Sequence, residues 1–531
     1  MPKNYSDLTG IIHANRKFNA VDQLTYGDHG LEDATSTVRR AIEGGKLIAL
    51  YADYDVDGTM SCVSWIWFLE AIGYTNYTYY IPCRFEEGYG LNLDAMKHLI
   101  DNESAELIIT MDTGITANEE AAYCLSRGVD FVCTDHHKVQ KDKMPDCVIL
   151  NPKLHPDPDY QELCGCGITF VLLRKLAKIF PLQDQSIWTD ILALAGMATI
   201  CDVVPLNGVN HRLANLGVQA LARSHRPVIK KLRHACAALE ALDEQDVGFR
   251  IGPRINAVGR LKHAKAVIEA FIHENPDQLI QYMGECNEER KTLQKKIVDE
   301  AMEMAAKYAD DPILFLGGDW HPGVVGIAAS KVAEKYWKPT WMFNHSELVC
   351  KGSARSIPGF DVTDAMEVVG HLFDKFGGHK AAAGYSFARE RIDEIRSALN
   401  DAANKIKANS PDIWLSKISY DCHLPLNLAS LELITALDSL KPFGHGFEEP
   451  LFEINADIVD VVFYKDKITG LAKHTAVTVA SGYKRHKIMF FNEVYSELES
   501  LPKARFLVSA TKNHYMGRTQ LSLIGRDWEM A

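Results

Sequence analysis

One pattern, repeated three times, constrains this chain more than any other: an apolar run that ends at once in acidic or histidine residues. Leu47-Ile48-Ala49-Leu50-Tyr51 runs, past Ala52, into DYDVDG at 53–58. Leu107-Ile108-Ile109-Thr110-Met111 runs into Asp112-Thr113-Gly114, and Phe131-Val132-Cys133 into Thr134-Asp135-His136-His137. Helix-like stretches at 61–72 and 117–127 lie between them. Continuous apolar runs alternating with helices predict a parallel sheet covered on both faces. In such sheets ligands bind outside the carboxyl ends of the strands. Every polar motif falls at that end, so the motifs can converge on one crevice.

An isolated acidic cluster is ordinarily a solvated loop. DYDVDG differs because it closes an apolar run and leads into Gly58-Thr59-Met60-Ser61, which opens a helix. Three carboxylates at a buried strand end are costly unless cations neutralise them. Asp112 adds a carboxylate from a second strand end, and Asp135, His136 and His137 come from a third. The apolar, Ala-rich stretch 187–200 reads as a buried helix that delivers Asp202. Oxygen donors with one or two imidazoles suit Mn²⁺ or Mg²⁺. Two such ions some 3.5–4 Å apart activate water and hold the leaving oxygen in phosphoryl displacement. The 12 cysteines include Cys164 and Cys166 but no CxxC pair, so free thiols in a reducing cytosol are expected rather than a zinc site.

A chain of 531 residues accommodates about three or four folded units. We expect an N-terminal arm over 1–45, leading into a helix that ends near Gly44-Gly45, and a catalytic domain over 46–225. A helical connector follows over 226–309, where three-to-four spacing from Leu279 to Tyr308 predicts a long helix between two lobes. A second, smaller α/β domain is expected over 310–410. Within it, Gly377-Gly378-His379 reads as a glycine turn ahead of a small-residue helix whose N–H groups approach a phosphate. Short alternating segments over 411–531 predict a small β-barrel. From Lys465 to Arg526 there are 11 Lys/Arg against 4 Asp/Glu, a local +7 on a chain of net charge -13. That balance suggests a surface for backbone phosphates, with a merely solvated face as the alternative. The N-terminus MPKNYSDLTG lacks an apolar leader segment, and no run of about 18 apolar residues occurs, so a cytoplasmic protein outside the membrane is expected. A monomer is expected as well.

The ordered set DYDVDG, MDTG, TDHH and CDVVPL resembles the DHH phosphoesterase superfamily and, within it, the RecJ-type single-stranded-DNA exonucleases. PCRFEEGYGL (82–91), GPRINAVGRL (252–261), HPGVVGI (321–327), Gly352-Ser353-Ala354-Arg355-Ser356 and FGGHKAAAG (376–384) extend the resemblance over roughly residues 30 to 450. It implies that Asp55 and Asp57 bind different metal ions, that Asp112 bridges them, and that His136 and Asp202 are ligands. His137 would contact the scissile phosphate or assist proton transfer, with Asp135 orienting a histidine. Asp53 is either a ligand or an acceptor behind the ligands. Ser353 and Arg355 match a phosphate-binding pair, as an arginine fork beside a hydroxyl should. Arg84, Arg254, Asn256 and Arg260 are implied strand contacts, together with Gly378 and His379. Tyr51 departs from the pattern: many relatives carry a histidine there, four residues before Asp55.

KPFGHGFEEPLF (441–452) resembles the lead-in to the RecJ oligonucleotide-binding barrel. Tyr483, His486, Phe490 and Tyr515 are candidates to stack bases there, against core packing as the competing reading. The implied activity is 5′-to-3′ hydrolysis of single-stranded DNA in repair and recombination. The implied cofactors are two Mn²⁺ or Mg²⁺ ions, and the implied partners a single-stranded-DNA-binding protein and a helicase. A phosphodiesterase for short oligonucleotides or cyclic dinucleotides is the alternative, although relatives of that kind lack the basic barrel. A silent scaffold would have lost metal ligands, and all five are present here.

Overall fold

The structure is a computed structural model that describes residues 2–18, 21, 24, 26–237, 242–466, 469–515 and 518–531, without the side chains of 514, 515 and 518. Two helices precede the first strand, α1 (Tyr5–Asn15) and α2 (Leu31–Glu43). The sequence pattern predicts an irregular arm where α1 stands. The helix has only one narrow apolar edge, Leu8 and Ile12, four residues apart and both fully buried. Asn4 caps it by accepting from the Asp7 N–H.

Five strands form the first sheet: β1 (Ile48–Ala52), β2 (Tyr77–Tyr80), β3 (Leu107–Met111), β4 (Asp130–Thr134) and β5 (Val148–Leu150). Their order is β2-β1-β3-β4-β5, and every pairing is parallel. β1 and β3 are buried at every position, as continuous apolar runs in a doubly covered sheet require. The order reverses between β1 and β3, and such switch points are where open α/β sheets leave a crevice. Helices α3 (Val56–Ala71), α4 (Asn118–Arg127), α5 (Gly165–Leu176), α6 (Ile187–Cys201) and α7 (Gly208–Arg223) complete this lobe. α3 and α6 are apolar around most of their circumference and lie inside the largest core.

The chain then becomes helical. α8 (Gly252–Leu261) leads to α9 (Asp277–Ala305), the long connecting helix. The second lobe holds β6 (Leu314–Gly318), α10 (Pro322–Tyr336), β7 (Thr340–Asn344), β8 (Val349–Arg355), β9 (Lys375–His379), β10 (Ala382–Ala388) and α11 (Ile392–Asn409). Its sheet runs β6-β7-β8-β10-β9, parallel only between β6 and β7.

The helix expected after Gly377-Gly378-His379 is absent. These residues end β9, and the alanines that follow begin β10, pairing with β8 from Ala382↔Arg355 to Ala388↔Val349. Alanine favours helix, but β8 offers a ladder, and Ala383, Tyr385 and Phe387 alternate into the core. Gly378 has φ +150, and a Cβ there would lie 2.4 Å from the Ala382 carbonyl oxygen, so only glycine fits this hairpin.

The short β11 (Cys422–His423) and α12 (Leu431–Asp438) lead into the barrel strands β12 (Phe452–Lys465), β13 (Ala472–Ser481), β14 (Lys484–Phe490), β15 (Lys503–Tyr515) and β16 (Arg518–Met530). The order β12-β13-β14-β16-β15 closes through a β12–β15 pairing into a five-stranded barrel. Its core joins Val477, Ile488, Phe490 and Phe506 to Leu8 and Ile12 of α1. Among the described residues, no helix is long and apolar enough to cross a membrane.

Candidate metal centre

β1, β3 and β4 all end at the same edge, and their continuations converge. Asp55 is the N-cap of α3, its Oδ1 accepting from the N–H groups of Asp57 (2.8 Å) and Gly58 (3.2 Å). Such caps contribute about 1 kcal/mol, and the helix dipole favours the anion. Asp57 points the other way and accepts from Gly165 N–H (2.5 Å) and Cys166 N–H (2.8 Å) at the start of α5. A Cβ at residue 165 would lie 2.8 Å from Asp112 Cβ and 3.0 Å from Asp57 Oδ2. Glycine there lets the helix start approach both carboxylates. Asp112 sits in the left-handed region with φ 61 at the end of β3. Asp202 caps the C-terminus of α6, and Val203 after it has φ 59. A β-branched residue in that region is strained by on the order of 1–2 kcal/mol.

Three groups of side chains each bring their ligand atoms within 4.8 Å of one another: Asp53, Asp55 and Asp112; Asp57, His136 and Asp202; and Asp112, His136 and His137. The His136 Nε2 lies 3.0 Å from Asp112 Oδ1, 3.5 Å from Asp202 Oδ2 and 3.8 Å from Asp57 Oδ2. Yet Asp112 Oδ1 accepts no hydrogen bond, and Asp53 Oδ1 is likewise buried without a partner. Donor atoms that crowd together without bonding to each other are arranged around a shared cation position.

The electrostatics agree. Burial, reinforced by neighbouring carboxylates, pushes Asp53, Asp112 and Asp202 well above the usual carboxylate range and Asp57 up to about 6. Burial and the adjacent His137 lower His136 to about 3, so its imidazole is neutral, the form that ligates a metal. These residues therefore fit one or more divalent ions, and the oxygen-rich donor set with imidazole is that of Mn²⁺ or Mg²⁺.

Asp135 has a different task. Its Oδ2 accepts from Ile115 N–H (2.9 Å), while Oδ1 meets His137 Nδ1 at 2.7 Å and accepts the His137 backbone N–H at 3.0 Å. The His137 ring is thereby fixed. Burial opposes its charge, but Asp135 outweighs that and raises its pKa. Tyr51 donates its hydroxyl to the Gly90 carbonyl (3.1 Å), and its ring stacks on Tyr80.

Across the crevice stand cations. Asp53, Asp55, Asp112, His137 and Asp202 line an open cavity of about 230 Å³ together with Arg84, Tyr89, Asn256, Arg260 and Arg355. Burial and the neighbouring Arg84 lower Arg260 and Arg355 to about 10, so both stay charged. Arg355 is held by Ser353 Oγ (2.6 Å), Ser330 Oγ (3.1 Å) and the Ala354 carbonyl (2.8 Å). Arg84 lies over the Tyr54 ring, 5.2 Å from its centroid. Asn256 Oδ1 accepts from Val56 N–H (3.0 Å), tying α8 to the start of α3. His379 stacks on His137 from the second lobe at 6.1 Å, and Gly378 precedes it in the hairpin.

Of the implied contacts, Ser353, Gly378 and His379 are not among the residues lining this cavity, and neither is Arg254. It packs on the long helix α9, where a Cβ on Gly284 would meet its Nη1 at 3.0 Å. Sequence reasoning missed Tyr89, whose hydroxyl is 3.1 Å from the His137 ring nitrogens, although the GYG in its motif was a signal. It also missed Ser330, for which the sequence carries no signal. In the barrel, Phe490 is core, 1% exposed, and Tyr483 fully exposed. His486 is half-buried, and the Tyr515 side chain lies outside the described residues.

A parallel sheet that gathers carboxylates and paired histidines at one edge, faced by an arginine-bearing second lobe, is the architecture of a DHH-type phosphoesterase. Residues 47–199 match the DHH family N-terminal domain, 291–405 the DHHA1 domain and 420–527 the RecJ OB domain. The chain is 31% identical to the single-stranded-DNA-specific exonuclease RecJ of Bacillus subtilis, covering 94% of this chain and 63% of that protein. It is 30% identical to the RecJ of Haemophilus influenzae, covering 81% of this chain and 79% of the relative. The crystal structure of Thermus thermophilus RecJ in complex with Mn²⁺ superposes with a TM-score of 0.85 at 24% identity, over 99% of this chain and 76% of that one. The chain belongs to the RecJ family.

Proposed function

We propose that this chain is a metal-dependent exonuclease that hydrolyses phosphodiester bonds of single-stranded DNA from a free 5′ end, in DNA repair and recombination. The observation that carries the reading is the opposition in one crevice of a cation-binding cluster and a set of charged arginines. A phosphodiester between them meets both halves of what its hydrolysis needs.

Asp55, Asp57, Asp112, His136 and Asp202 would hold two Mn²⁺ or Mg²⁺ ions, with Asp112 shared and Asp53 beside them. When bound, these ions supply water activation and charge neutralisation at the phosphate. Arg355, set by Ser353 and Ser330, offers a fork to phosphate oxygens, and Arg84 and Arg260 reinforce it. His137, oriented by Asp135 and lining the crevice with the Tyr89 hydroxyl against its ring nitrogens, stabilises or relays a proton at the reacting oxygen. His379 covers that ring from the second lobe. The basic barrel holds the strand beyond the crevice. A single-stranded-DNA-binding protein and a helicase are the partners this role calls for.

End-labelled DNA and RNA strands, labelled at either end and digested with Mn²⁺ or Mg²⁺, test the reading. Loss of label from the 5′ end of DNA is expected. Rapid cleavage of a closed circular single strand would sink it.

A further inference from the structure

The turn that delivers Asp202 is built partly by the C-terminal domain. Val203, next to Asp202, holds a left-handed backbone that its branched side chain resists, and that side chain is 61% exposed. Strain of this kind persists only where the surroundings impose it. Nothing within α6 does so beyond the turn bond from Val203 N–H to Ile200.

Within the first lobe, Asn210 Nδ2 donates to the Pro205 carbonyl at 3.1 Å and Val204 is buried in the core. The rest of the constraint comes from residues 440–448. The Leu206 N–H donates to the His445 carbonyl at 2.7 Å, and the Leu206 side chain, 1% exposed, belongs to the core of the barrel domain rather than its own. Gly446 has φ +74 and lies against Pro205; a Cβ there would approach Pro205 Cβ to 3.2 Å. His211 and Asn215 of α7 bond to the Leu440 and Lys441 carbonyls at 3.0 and 2.9 Å. The buried Glu244 accepts from Phe443 N–H at 3.3 Å. From the opposite side α1 closes over the same segment. Phe18 packs on Phe447, and Arg16 bonds to the Glu448 carbonyl and, through Nε and Nη2, to both oxygens of Asp421.

We infer that residues 440–448, clamped by α1, position Asp202 for cation binding, so that Gly446 and Arg16 are positioning residues of the metal centre. The inference rests on the reading of Asp202 as a ligand. It assigns the lead-in to the barrel a role separate from strand holding, and gives the N-terminal helix a function at a site it does not touch.

The test uses the full chain and two substitutions, Gly446→Ala and Arg16→Ala. The first strains the segment at its contact with Pro205, and the second releases it from the far side without adding atoms near Asp202. Free Mn²⁺ is titrated by electron paramagnetic resonance, thermal unfolding reports folding, and kcat and KM are measured on a 5′-phosphorylated dinucleotide, the shortest strand with a phosphodiester bond to cut. We expect both variants to remain folded, to bind Mn²⁺ about 10-fold more weakly, and to lose kcat on the dinucleotide with little change in KM. Wild-type Mn²⁺ affinity and dinucleotide turnover in the two variants, or losses confined to long strands, would overturn the inference. Should Gly446→Ala fail to fold, Arg16→Ala decides alone. A wild-type chain that binds no Mn²⁺ would overturn the metal reading, and this inference with it.

Discussion

Asp112 shows how a single residue can be legible in sequence and yet need a structure to explain its behaviour. Its place after an apolar run announces a strand end; its left-handed backbone and its unpartnered Oδ1 do not appear in the string. Asp112→Ala should lower hydrolysis by at least about a hundredfold in Mn²⁺ while the chain stays folded, since the ligand proposed to be shared is lost. Near-normal turnover would remove Asp112 from the centre. The titrations give a second expectation. In the metal-free fold Asp53, Asp57, Asp112 and Asp202 bind protons more tightly than in the unfolded chain. The stability they lend is therefore complete below the ordinary carboxylate pKa and is lost as pH rises through the raised values, about 6 for Asp57. His137, raised by Asp135, adds a loss above its own ordinary value in the same direction. Divalent ions replace those protons. Mn²⁺ should raise the unfolding temperature more at about pH 8 than at about pH 5.5, read by calorimetry with and without chelator. A larger gain at the lower pH would contradict the buried-carboxylate account.

Elements were legible where one period dominated. The runs at β1, β3 and β4 and the long periodic α9 stand out because burial on every face, or on one stripe, writes itself directly into composition. α1 did not, because two apolar residues on one turn are too few to show a period. The AAAG stretch misled because alanine's helix preference is weak beside a free strand edge at β8. The start of α5 is the element on which the centre most depends, since Gly165 N–H and Cys166 N–H hold Asp57. Gly165→Ala keeps the helix but forces a methyl between Asp57 and Asp112. Mn²⁺ affinity should drop about 10-fold or more with little change in helical circular dichroism. Unaltered affinity would mean that the two carboxylates tolerate separation, which a shared cation site does not.

At the scale of the whole molecule, charge is divided between the acidic crevice and the basic barrel, and the net -13 conceals both. The barrel itself was visible as short alternating segments. Which of its aromatic side chains face solvent was not, because a one-residue shift of register exchanges inside for outside; thus Phe490 is core while its neighbour Phe491 is 52% exposed. Lys484, Arg485 and Lys487 lie together on β14 and are exposed, on the strand that pairs with β13 in the closed barrel. If this strand carries backbone phosphates, its contribution is counterion release, which is sequence-independent and weakens with salt. Replacing Lys484, Arg485 and Lys487 together by glutamate should weaken binding to a long single strand. It should also reduce the salt dependence of that binding by about one unit of slope for each phosphate no longer neutralised. The crevice is untouched, so a 5′-phosphorylated dinucleotide should be cleaved at the wild-type rate. Equal loss on both substrates would move the role of these cations from holding the strand to supporting the fold, and a long strand bound as tightly as before would leave the +7 segment a solvated surface.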